Sequence, residues 1–121
     1  MAGLGKQGFH MRNAIDLEIA IIRGELTEVE RILDTWSPQG LDDVDGLVAR
    51  LDGLVALDRG EDIEAEAPAL VIPGSYLEPF ALRALGRARH DDEMTHEAAA
   101  RFEEMGMRWH ADRTRAWVDD R

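Results

Sequence analysis

Apolar residues recur along most of the chain at the three-to-four spacing of a helix, and no stretch alternates over a strand length. The pattern predicts a first helix over about residues 11–23, with Ile15, Ile19 and Ile22 as its apolar stripe and Asp16, Glu18 and Arg23 between them. Gly24 suits the residue after its end, where a left-handed backbone favours glycine. Thr27 with Glu30 reads as a capping box for a second helix striped by Val29, Ile32, Leu33 and Trp36, and Ser37-Pro38-Gln39-Gly40 stops it. A third helix over about 42–58 opens on Asp42, Asp43 and Asp45 and carries Leu47, Leu51, Leu54 and Val55, widened by Val48 and Leu57. Pro68 should cut a fourth, about 61–67, short, with Val71–Gly74 as a loop. The fifth runs to Arg89 and starts either at a Ser75/Glu78 capping box or with Pro79 as its first residue. A sixth spans about 92–105, with Met94, Ala98, Phe102 and Met105 on one face. The seventh, about 107–118, carries Trp109 and Trp117 eight residues apart on a shared face. Short linkers make successive helices antiparallel neighbours.

Composition narrows the chemistry. The chain has 121 residues, 25 acidic and 14 basic, with a net charge of -11 and no cysteine. That length fits one domain, expected over 10–121 behind a loose glycine-rich tail at 1–9. The absence of cysteine excludes disulfides, thiolate metal sites and a cysteine nucleophile. Strong acidity argues against nucleic acid, which is held by arginine and lysine on phosphates. No apolar run approaches the about 18 residues of a membrane span, and the start lacks a leader's apolar stretch, so a cytoplasmic protein without a membrane partner is expected. The preference for arginine over the single Lys6 suggests a GC-rich bacterial genome.

Aligning successive helix pairs on Val29, Ala65 and Ala98 gives separations of 36 and 33 residues. In the third pair, Leu82, Leu85 and Gly86 are followed by Ala98 and Phe102. The second has Ala49, Gly53, Ala56 and Ala65, and the first Leu17, Ala20, Val29, Leu33 and Trp36. This pattern resembles the tetratricopeptide repeat, whose period is about 34 residues. Two positions depart from it: Pro68 falls inside the second pair, and His110 stands where the family carries a terminal proline. The stretch from Tyr76-Leu77-Glu78-Pro79-Phe80 through Arg115 is also similar to the C-terminal helical regions of LuxR-type activators and cyclase-linked signalling ATPases of bacteria. The resemblance implies an all-α, right-handed α-solenoid of three antiparallel hairpins plus a capping helix, about seven helices in all. It further implies a non-catalytic scaffold that holds a protein or peptide partner.

Carried over by register, the partner groove would be lined by Ala14, Glu18 and Ile21, by Leu47, Arg50, Leu54 and Leu57, and by Phe80, Arg83, Arg87 and His90. Its arginines would grip carboxylates through paired hydrogen bonds. Trp109 and Trp117 either cap the preceding pair or form a docking or self-association face, which gives a homo-oligomer as one alternative function. Another is a small metal-dependent hydrolase or oxidase using His90, Asp91, Glu93 and His96. A di-iron bundle needs a second Glu-x-x-His and two further glutamates; none is found, and these residues suit a helix end and the next helix's start. No metal or other cofactor is therefore expected. His10 and His110 have no partner at ligand spacing, and neither a nucleophile elbow nor a phosphate loop occurs.

Overall fold

The computed structural model describes residues 14–35 and 44–119. Within them the chain is all-α, with seven helices and no strand. These are α1 (14–23), α2 (Leu26–Thr35), α3 (Val44–Ala56), α4 (Gly60–Glu66), α5 (Leu77–Arg89), α6 (Asp92–Glu104) and α7 (Arg108–Asp119). A single 3-10 turn, Pro68–Leu70, follows α4, as expected where a proline ends the α-helical ladder. The tail 1–9, His10, Trp36 and the Asp42–Asp43 pair lie outside the described residues. The described residues up to Asp58 form one compact unit and those from Arg59 another.

In the first unit, Leu17 of α1 and Leu33 of α2 converge on Gly53 of α3. Gly24 ends α1 at φ +69°, with Gly24 N–H donating to Ile21 O (3.1 Å) and Glu25 N–H to Ala20 O (2.9 Å), the paired bonds of a Schellman end. Two expectations need correction here. Thr27 stands inside α2, which begins at Leu26, so it is not the cap; Glu25 O receives the first-turn N–H groups. The stripe of Ile15, Ile19 and Ile22 faces solvent, with Ile22 71% exposed, while Ala14, Leu17 and Ala20 are buried. α1 carries two apolar stripes, and the one with small residues lies against α3, where Gly53 leaves room for Leu17. Val29, Ile32 and Leu33 of α2 are buried as their spacing requires, as are Leu51 and Leu54 of α3.

In the second unit, α5, α6 and α7 are joined by connections of two or three residues and pack in sequence as antiparallel hairpins. Both turns are again Schellman ends. His90 (φ +54°) closes α5, with Asp91 N–H on Gly86 O at 2.9 Å, and Gly106 (φ +75°) closes α6, with Met107 N–H on Phe102 O at 2.8 Å. α5 is buried from Leu77 to Gly86. Its start settles between the two expectations. Pro79 is the third helical residue, where the missing N–H would have had no partner in any case, and Glu78 reaches back towards Gly74 N–H at 3.4 Å. Ser75 supplies no side-chain cap. Ala98, Ala99 and Phe102 of α6 and Ala111 and Thr114 of α7 complete the core. Gly86 sets the approach of α5 to α6, because a Cβ there would overlap Thr95 Oγ1 and lie 3.0 Å from Thr95 N.

Candidate functional site

The core of the second unit is aromatic. Phe80 of α5 meets Phe102 of α6 edge-on at 4.9 Å and His110 of α7 at 5.1 Å, and His110 stacks on Phe102 at 5.1 Å. Above these rings lies Arg83, only 3% exposed. Its guanidinium carbon is 5.4 Å from the Phe80 centroid, 5.1 Å from Phe102 and 4.9 Å from Trp117. Nη1 lies 3.4 Å from both His110 Nδ1 and Thr114 Oγ1. Thr114 Oγ1 donates to His110 O at 2.7 Å, so its lone pairs remain to accept from Arg83. Desolvating a guanidinium costs several kcal/mol, which ring faces and hydrogen bonds must offset. Arg83 therefore ties α5, α6 and α7 together, and its side chain is interior.

Arg87, one turn further along α5, is half-buried, with its guanidinium carbon 5.9 Å from the Trp117 ring centroid. On α7 the residues Ala111 and Thr114 point inwards, and Trp109, Arg113 and Trp117 follow one another at four-residue intervals, from the exposed Trp109 to the half-buried Trp117 at the edge of the core. Trp109 is 61% exposed, stands edge-on to His110 at 4.8 Å, and holds the Arg113 guanidinium 5.2 Å from its centroid. Ala116, also exposed, lies on the Trp109 side of the helix two turns further on. The two tryptophans thus have different neighbours. Eight residues turn a helix by about 80° beyond two full circles, enough to lay Trp117 over Arg83 and Arg87 and leave Trp109 outside.

The groove carried over by register does not form an open surface at four of its positions. Ala14, Leu54, Phe80 and Arg83 are buried, so each belongs to the core of its unit. Glu18, Arg50 and Arg87 are half-buried, and His90 is exposed. Arg83 stands one position after Leu82 and three after Phe80, inside the buried stretch Leu77–Gly86 of α5, and nothing in its own spacing sets it apart from the surface arginines of that helix. The His90–His96 cluster is used locally. His90 closes α5, and Asp91 caps α6 by accepting from Met94 N–H at 3.1 Å. Among the described residues no three His, Asp or Glu side chains are grouped to hold a metal ion.

A cleft of about 350 Å³ opens between the turn before α5 and the end of α6, lined by Ser75, Glu78, Arg101, Glu104 and Met105 among others. Ser75 Oγ and Arg101 Nε have no hydrogen-bond partner, but both atoms are sealed from solvent and out of a guest's reach. The Arg101 guanidinium is already shared by Glu78, Glu97 and Glu104 at 3.2–3.6 Å. Of the surfaces described, the outer side of α7 has the stronger claim. No family model matches the chain, and no curated protein or solved structure does.

Proposed function

We propose that the chain is a non-catalytic interaction module that holds a segment of a partner protein on the outer side of α7. The observation that carries this reading is the stripe Trp109–Arg113–Trp117. Ala111, Thr114 and Trp117, whose ring lies over buried Arg83, serve the core, while the other side of α7 presents the largely exposed Trp109 with the Arg113 guanidinium against its ring. Tryptophan and arginine are the residues over-represented where protein interfaces concentrate their energy. A largely exposed indole with an arginine against it, on a small acidic domain, calls for a partner more than for solvent.

The tetratricopeptide-like reading of the hairpins, and a place in bacterial signalling or transcriptional regulation within the cytoplasm, belong to the same proposal. They rest on the resemblance of the stretch 76–115 and on the close α5–α6 approach at Gly86. Pairing of two copies through Trp109 is the alternative occupant of the same surface, and light scattering across a concentration series separates it from a foreign partner. The test of the module itself is a photo-crosslinking amino acid at Ala116, with exposed Ala100 of α6 as control. A discrete adduct in native cell extract from position 116 and not from 100 is expected. Equal labelling from both positions, or none, rejects the reading.

A further inference from the structure

Two of the arginines without an acidic partner lie against the tryptophans of α7. Among the described residues Arg23, Arg31, Arg89, Arg101 and Arg115 each pair with a carboxylate. Arg50, Arg59 and Arg83 also have further partners. Arg87, Arg108 and Arg113 make no ion pair. In a chain with 25 acidic residues against 14 basic ones, unpaired cations are unexpected on numbers alone. Two of these three lie on α7, and the third lies over its Trp117.

We propose that the outer side of α7 takes a carboxylate-rich peptide segment; this rests on the reading of α7 as a docking surface and names the chemistry of its occupant. The Arg113 guanidinium lies 5.2 Å from the Trp109 ring and that of Arg87 5.9 Å from the Trp117 ring, and a guanidinium held against a ring still has N–H groups to pair with a carboxylate. Asp112, beside Arg113, is engaged by Arg115 at 3.4 Å, as is Glu103 at 2.5 Å, and Asp91, four residues after Arg87, caps α6 by accepting from Met94 N–H at 3.1 Å. The overall charge of -11 repels an extended polyanion but acts weakly on a short segment, because fields from distant charges fade over about 8 Å at physiological salt. The patch therefore favours aspartate- and glutamate-bearing peptide over nucleic acid, which would carry its phosphates beyond the arginines onto acidic surface. Trp109 supplies the apolar platform beside the charges, and exposed Ala116 the space for a main chain to pass.

The test is fluorescence anisotropy of the whole protein with labelled deca-glutamate, deca-serine and ten-nucleotide oligothymidylate at physiological salt. Deca-glutamate is expected to bind and the other two to bind at least tenfold more weakly. Each of Arg87→Gln and Arg113→Gln should weaken deca-glutamate about fivefold, and the pair about twentyfold, as expected for charge-assisted bonds at a partly exposed surface. Arg87→Lys with Arg113→Lys, which keeps the charge and loses the fork, should retain part of the affinity and shows whether loss follows charge or folding. Deca-glutamate affinity unchanged in the double glutamine variant, no binding by the folded wild type, or oligothymidylate binding as tightly overturns the proposal. A crosslink at Ala116 that survives the double glutamine variant leaves the docking surface standing and overturns its acidic occupant.

Discussion

Replacing Gly86 by alanine adds one carbon at the point where α5 and α6 come closest. The new Cβ would overlap Thr95 Oγ1, lie 3.0 Å from the Thr95 backbone nitrogen and 3.3 Å from Asp91 O. Thr95 Oγ1 cannot swing aside without losing its bond to Asp91 O at 3.0 Å, and the other two atoms are backbone at the capped start of α6. The helices must separate. Overpacking of this kind costs about 3 kcal/mol where backbone has to move, and alanine returns about 1 kcal/mol in helix propensity, leaving a net loss of about 2 kcal/mol. Gly53→Ala is the internal control. Its Cβ meets only side-chain tips, Leu33 Cδ1 at 3.1 Å and the Leu17 methyls at 3.3 Å. These can give, so gain and cost should nearly cancel. Urea unfolding followed by far-ultraviolet circular dichroism checks both, with the Gly86→Ala midpoint well below wild type and Gly53→Ala close to it. Gly86→Ala as stable as wild type, or no worse than Gly53→Ala, refutes the close-approach argument.

Other consequences are equally measurable. Arg83→Ala should cost about 3 kcal/mol in urea unfolding, because it removes a buried guanidinium from three rings and two polar partners, and Arg83→Met, which restores volume, should recover part of that. His90→Gly should stabilise by about 0.5–1 kcal/mol, since glycine takes the left-handed φ of +54° without a Cβ clash; a lower melting temperature would contradict this. The Arg89 guanidinium, hydrogen-bonded to Glu64 at 2.6 and 2.9 Å, holds that carboxyl below its ordinary value. A lowered folded-state value means stability present above about pH 4.3 and lost as the pH falls through the lowered value. Glu64→Gln should flatten the acid limb of a stability–pH curve, and an unchanged limb would show that the pair does not contribute.

The small residues marked a close contact between α5 and α6 but not in the second pair, where Ala65, the residue aligned with Val29 and Ala98, is exposed and Ile63 and Ala67 are buried instead. Gly86, Ala98 and Phe102 stand at the spacing of a tight hairpin, and the structure brings α5 and α6 together around them. Helix ends were legible for the same local reason: Gly24 and Pro68 act through their own backbone. Burial was less legible. Ile15, Ile19 and Ile22 make the larger apolar stripe on α1, but what lies opposite decides which stripe is covered, and Gly53 is thirty-odd residues away in the chain. Arg83 shows the same limit. An arginine near a helix end reads as a surface residue, and only the convergence of Phe80, Phe102 and Trp117 from three helices gives it an interior place.

The central claim is that the working surface of α7 is separable from its packing, and Trp109→Ala tests it most directly when unfolding midpoint and Ala116 crosslinking yield are measured on the same preparation. With the indole 61% exposed, the midpoint should move by no more than the equivalent of about 0.5 kcal/mol while the crosslink is lost. A midpoint that falls sharply, or a crosslink that persists at full yield, would contradict the account.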